Sequence, residues 1–254
     1  MKKRNEWIAV IAVILVLALI GVLFLWFFPS LEKNREEQEL REQFREYYDT
    51  KVAAYAAVNA TLKGVDVAFI GDSLTDGYDL AAYYPEFSTA NRGIGGDTTF
   101  GVEERMAVSL YDLTPRAVVM MIGSNNIDTM FDNYESLLKG LAEHLPDTEV
   151  VLLSIPPTAG ELRDRNTRIA LNNVRIKALA EQYGYAYVDL FTALLDHEKE
   201  ELRAEYTTDG AHFTPLGYEV ITSLVKPVLT ELLPPPAAEE VAPTPEQSSE
   251  GEST

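Results

Sequence analysis

From residue 65 to residue 232 short apolar runs alternate with longer amphipathic stretches, and this alternation restricts the fold more than any other feature of the chain. The strand candidates lie at 65–70, 88–91, 117–122, 149–154 and 185–189. The amphipathic stretches lie at 101–110, 133–145, 164–183 and 215–232. Short continuous apolar runs suit strands buried on both faces, and strands that alternate with helices build a parallel sheet covered on both sides. The expected fold class is therefore α/β, three layers deep, around a five-stranded parallel sheet. No internal repeat is visible.

Three further segments flank this region. Met1-Lys2-Lys3-Arg4-Asn5-Glu6 is short and basic, and residues 7–28 carry no charge and one glycine, Gly21. A stretch of about 20 apolar residues spans a bilayer as a helix. Trp7 and Trp26 sit at its two ends, as interfacial anchors do. The run ends Trp26-Phe27-Phe28-Pro29, without the small residues of a signal-peptide cleavage site. The expectation is an uncleaved, single-pass signal anchor with a cytoplasmic N-terminus over 1–6 and everything beyond Pro29 extracytoplasmic.

Residues 31–62 read as a helix. Its first half, to about 43, is dense in Glu, Arg and Gln and is expected to be a solvated stalk. In the second half Phe44, Tyr47, Tyr48, Val52 and Tyr55 form an apolar stripe expected to pack on the domain that extends from 44 to 233. After Leu233 the composition turns to Pro, Glu, Ala, Ser and Thr, which suits a disordered acidic tail over 234–254.

The formal net charge is −19 and there are no cysteines. Binding to nucleic acid or anionic head groups needs clustered Lys and Arg, so neither is expected of the soluble part. A disulfide framework, a thiolate metal site and a cysteine nucleophile are excluded outright.

In an open parallel sheet, ligands sit beyond the carboxyl ends of the strands. The first strand ends in Gly71-Asp72-Ser73-Leu74, and a serine there is either a helix cap or a nucleophile. The second ends in Asn91-Arg92-Gly93-Ile94-Gly95-Gly96-Asp97-Thr98-Thr99, whose glycines let the backbone approach a ligand. A dinucleotide fingerprint would follow the first strand instead, so a loop that offers an N–H to an oxyanion fits better. The third ends in Gly123-Ser124-Asn125-Asn126, where a side-chain amide can donate into the same crevice. Late in the chain, Asp209-Gly210-Ala211-His212 places a carboxylate within reach of an imidazole. The other histidines, His144 and His197, read as surface residues, and three scattered histidines point away from a metal site.

Together these four blocks resemble those of the SGNH, or GDSL-type, hydrolase superfamily, over roughly residues 44–233. The glycine block and the paired asparagines most resemble the branch that includes the catalytic subunits of platelet-activating-factor acetylhydrolase. The resemblance implies a flavodoxin-like sheet, Ser73 as nucleophile, His212 as base and Asp209 as its partner. It implies an oxyanion hole formed by the N–H groups of Ser73 and Gly96 and the Asn125 amide, with no metal or cofactor. The third block departs from the usual Gly-Thr-Asn-Asp at Ser124 and Asn126, which affects loop support more than mechanism. The implied activity is a serine esterase acting on small acyl, especially O-acetyl, esters of carbohydrate or cell-surface glycan. A lysophospholipase or thioesterase is the enzymatic alternative, and a catalytically silent, surface-anchored binding module the non-enzymatic one.

Overall fold

A computed structural model describes residues 2–234, with the side chains of 2–6, 9, 10, 12, 13 and 25–30 outside that description. The acidic tail expected over 234–254 lies outside the described residues beyond Pro234. A long helix, α1 (Lys2–Leu62), leads into β1 (Val67–Gly71) and the short helices α2 (Ser73–Asp76) and α3 (Leu80–Tyr83). Then follow β2 (Thr89–Gly93), α4 (Thr99–Met106), β3 (Ala117–Met121), α5 (Tyr134–His144), β4 (Glu149–Leu153) and α6 (Asn166–Tyr183). The chain closes with β5 (Ala186–Val188), α7 (Leu190–Leu194), a small hairpin of β6 (Leu195–Asp196) and β7 (Glu201–Leu202), and α8 (Pro215–Leu232).

The five long strands form one parallel sheet in the order β2-β1-β3-β4-β5, the flavodoxin-like order. The order reverses at β1, so the crevice of an open sheet opens at the carboxyl end of that strand. Gly93, Gly71 and Met121 share one register row across β2, β1 and β3. The loops that follow these three strands therefore leave the sheet side by side.

Alternate strand residues serve opposite faces. Ala68, Ile70, Val118, Met120, Val150 and Leu152 pack with Val102, Leu137, Leu141, Ile169 and Ile176 from α4, α5 and α6. Val67, Phe69, Val119, Met121, Val151 and Leu153 pack with Leu80, Leu190, Ile221, Val225 and Leu229 from α3, α7 and α8. The central strands β1, β3 and β4 are buried on both faces, which is why they read as continuous apolar runs rather than as an alternation.

The strands agree with expectation to within two residues at each end. The stretch expected as one helix over 101–110 divides into α4 and a wider turn at Ala107–Tyr111. The short α3 and α7 and the two-residue strands of the hairpin carry too few positions to show a period.

The helix expected over 31–62 is part of α1, which runs unbroken from Lys2. It meets the domain where the aromatic stripe was expected to pack. Tyr55 is buried, Tyr48 donates to the Gly101 carbonyl at 2.7 Å, and Asn59 donates to the Val108 carbonyl at 2.7 Å. Among the described residues no helix is long and apolar enough to cross a membrane. The structure therefore does not support the transmembrane helix expected over 7–28, a run whose side chains at 9, 10, 12, 13 and 25–28 lie outside the described residues.

Candidate active site

Ser73 is the first residue of α2, directly beyond the end of β1. Asp72 caps that helix, its Oδ1 accepting from the Leu74 N–H at 3.0 Å. Capping and nucleophile placement, the two readings of this motif, are thus divided between adjacent residues. α2 lies so close to the end of β2 that a Cβ on Gly93 would fall 2.1 Å from the Asp76 nitrogen, which only glycine permits.

The turn before α8 brings the other two groups. His212 Nε2 lies 3.0 Å from Ser73 Oγ, and His212 Nδ1 lies 2.7 Å from Asp209 Oδ2. The other oxygen of Asp209 accepts from the N–H groups of Ala211 at 3.0 Å and His212 at 2.8 Å. The His212 bonds and these backbone donors hold the Asp209 carboxyl down at about 2. Behind the turn, the Thr208 N–H and the Thr207 hydroxyl both donate to the His212 carbonyl, at 3.0 and 2.9 Å. Gly210 adopts φ +92° and its carbonyl accepts from Ala159 at 2.8 Å, which fastens the turn to the loop after β4.

The opposite flank is the glycine loop. Gly96 adopts φ +76°, a left-handed conformation that costs glycine little, and a Cβ there would meet the Phe44 ring at 3.2 Å. The next residue, Asp97, accepts on its carbonyl from the Asn125 amide at 2.8 Å. An amide nitrogen carries two protons, so a second N–H of Asn125 is available for another acceptor. Asn126 accepts from the Thr99 N–H at 3.3 Å and donates to the Thr99 hydroxyl at 2.9 Å, which joins this loop to the start of α4.

Beneath these loops lie three buried ionisable side chains, Asp72, Asp97 and Arg105, whose pairings sequence reasoning missed. Asp97 pairs with Arg105 at 2.8 Å, and both side chains are almost fully buried. Arg105 also donates to the carbonyls of Gly71 at 3.0 Å and Arg92 at 2.8 Å, so one guanidinium ties the ends of β1 and β2 to the glycine loop. Asp72 accepts from the Ser124 hydroxyl, and Arg165 donates to the Ser124 carbonyl. Complete burial pushes the Asp72 carboxyl up to about 6 against the pull of Ser124 and the Leu74 N–H. Ser124 keeps the hydroxyl of the usual Thr, so its departure from the usual block leaves this bond in place. The only sequence signal for the Asp97–Arg105 pair was an arginine inside an amphipathic stretch, which an exposed face explains equally well.

The structure thus brings Ser73, His212 and Asp209 into one hydrogen-bonded line, and Gly96 and Asn125 together through Asp97. His144 and His197 are exposed and distant in sequence from these loops, and His144 stacks on Tyr111 with centroids 4.3 Å apart. Among the described residues no group of three or more His, Asp or Glu side chains is disposed to hold a metal ion. A hydroxyl, an imidazole and a carboxylate in line, beside backbone and amide donors, are the parts that acyl transfer requires.

The profile of the GDSL-like Lipase/Acylhydrolase family matches residues 69–220, more than half of the chain and all four blocks. The chain belongs to this family. Its members are the GDSL, or SGNH, hydrolases, and the protein is a carboxylic ester hydrolase. Solved structures agree. A Streptococcus pneumonia protein described as a candidate platelet activating factor superposes on this GDSL-like hydrolase with a TM-score of 0.70 at 27% identity, over 76% of this chain and 98% of that one. A GDSL-like lipase from Bacteroides thetaiotaomicron gives 0.65 at 27% identity, over 72% and 98%. An acetylxylan esterase from Geobacillus stearothermophilus shares the fold, with a TM-score of 0.54 at 23% identity over 66% and 94%. A curated relative, the N-acylneuraminate cytidylyltransferase of Escherichia coli O18:K1:H7, is 24% identical over 210 residues. That match takes in 78% of this chain, which spans about half the length of the relative, 47%.

Proposed function

We propose that Ser73 is the nucleophile of a serine esterase, with His212 as its base and Asp209 orienting and stabilising the imidazolium. The observation that carries this reading is the unbroken line from Asp209 through His212 to Ser73, at 2.7 and 3.0 Å. Ser73 Oγ attacks the ester carbonyl while its proton passes to His212 Nε2. The tetrahedral oxyanion is held by the N–H groups of Ser73 and Gly96 and by the Asn125 amide. His212 returns the proton to the leaving alcohol, and the acyl group stays on Ser73. Water, deprotonated by His212, then attacks the acyl-enzyme and releases the acid.

The substrate class in this proposal is a small acyl ester, an O-acetyl group on carbohydrate or cell-surface glycan. The fold shared with an acetylxylan esterase supports it. A series of nitrophenyl esters from acetate to decanoate, together with acetate release from acetylated glycan, tests it. A sharp preference for acetate and release from the glycan are expected. A rising preference for long chains, or turnover of lysophospholipid, contradicts it in favour of a lipid hydrolase.

The location we propose, at the outer face of a membrane through an N-terminal anchor, rests on the uncharged run 7–28 and its basic flank. Fractionation tests this: recovery with membranes, released by detergent but not by salt or carbonate, is expected, and recovery in the aqueous fraction contradicts it.

A further inference from the structure

The loop that carries Gly96 has a second neighbour besides Asn125, the C-terminal half of α1. Phe44 lies over Gly96, and between α1 and the start of α4 runs a cleft of about 300 Å³. Arg41, Phe44 and Arg45 line it from α1, and Gly96, Phe100 and Glu104 from the other side. We infer that this cleft is the subsite for the sugar ring that carries the ester, with Phe44 and Phe100 as its stacking surfaces. The inference rests on the carbohydrate reading of the substrate and names the part of the protein that would recognise it.

The cleft is a built feature. α1 is held against the loop by Tyr47 and Lys51, both bound to Asp76 at the end of α2, the latter at 2.6 Å. Asp76 in turn accepts from the Gly95 N–H at 3.3 Å, so one carboxylate ties the nucleophile turn, the glycine loop and α1 together. On the cleft wall Arg45 is fixed by Glu104 at 3.1 Å and Asp49 at 3.3 Å, and its guanidinium lies 5.2 Å from the centre of the Tyr48 ring.

The chemistry of the wall selects the occupant. Phe44 is 52% exposed and Phe100 44%, two large apolar side chains left uncovered in the cleft that Gly96 lines. Arg41, Arg45 and Glu104 add two guanidinium groups and a carboxylate to the same lining. A pyranose ring has an apolar C–H face and a rim of hydroxyl groups, and this pairing of aromatic surface with charged hydrogen-bonding groups matches both. Arg41, Arg45 and Glu104 are 81%, 62% and 59% exposed, so they stay hydrated and offer hydrogen-bonding groups at the rim of the cleft. Arg41, Phe44 and Arg45 lie before residue 69, outside the stretch that matches the family profile.

The test compares acetylated xylobiose with nitrophenyl acetate on the full-length wild type, F44A, F100A and F44W. The ratio of kcat/KM for the sugar ester to that for nitrophenyl acetate is expected to fall about tenfold in F44A and in F100A, mainly through KM, and to return in F44W, where an aromatic face is restored. An unchanged ratio in both alanine variants overturns the subsite while leaving the carbohydrate reading intact. So does a shift confined to acyl-chain length at constant alcohol, which would make the cleft an acyl pocket. A wild type that cleaves nitrophenyl acetate but releases nothing from acetylated xylobiose overturns the carbohydrate reading, and the subsite with it.

Discussion

The Asn125 amide donates to the carbonyl of Asp97 at 2.8 Å, which fixes the orientation of the side chain proposed to stabilise the oxyanion. A donor already held in place needs no reorganisation when charge develops on the substrate oxygen, and this is where such a group gains its effect. N125A is expected to lower kcat by about 10²–10³-fold with a small change in KM. Steady-state kinetics on nitrophenyl acetate check this; a loss confined to KM would assign Asn125 to binding instead.

Asp209 is expected to matter for the tautomer and orientation of His212 rather than for protonation in the working range. D209N should reduce kcat by about 10²–10⁴-fold, since an amide can hold the ring with the wrong nitrogen protonated. The wild-type carboxyl, lowered from 3.8 to about 2, contributes stability that is present above pH 3.8 and is lost as pH falls through 2. Its side chain is 53% exposed, so that contribution is small. The acid limb of the pH–rate profile above pH 4 should therefore not come from Asp209, and a profile of kcat/KM from pH 3 to 9 checks it.

The buried pair of Asp97 and Arg105 should behave as a structural clamp. R105M leaves a buried carboxylate without its partner and is expected to cost about 3–5 kcal/mol of unfolding free energy. The double variant D97L/R105M should recover part of that loss, because neither charge then remains buried alone. Urea denaturation of the three proteins measures both.

How much of this was legible beforehand follows from the range of each interaction. The sheet was readable because strands buried on both faces leave continuous apolar runs, as 117–121 shows with every residue buried. Ser73, Asp209 and His212 were readable because each sits in a short block at a strand or loop end. Arg105 was not, because its partners come from two other segments, Gly71 at the end of β1 and Arg92 and Asp97 in the block that ends β2, and nothing local marks them. Asp72 sits inside the first block, but its bond to Ser124 spans 52 residues and depends on β1 and β3 being neighbours, so nothing local marks it. The role of α1 was half legible: its aromatic stripe signalled packing, but not that Phe44 would lie over Gly96.

Asp72 offers a test by pH. Its folded-state carboxyl is raised from 3.8 to about 6, so the stability linked to it is full below pH 3.8 and is lost as pH rises through 6. D72N can still accept from Leu74 and can donate to the Ser124 oxygen, and it carries no charge to desolvate. The unfolding free energy of D72N minus that of the wild type should rise by about 1–3 kcal/mol between pH 4 and pH 7. Chemical denaturation at the two pH values measures the difference directly, and a difference that stays flat or falls would contradict the assignment.

The central claim is that Ser73 is the nucleophile, and intact-mass measurement after treatment with a fluorophosphonate tests it most directly. The wild type should gain one adduct, mapped to Ser73, with matching loss of esterase activity. S73A should gain none and show no activity above background. An adduct on another residue, or esterase activity retained in S73A, would contradict the account.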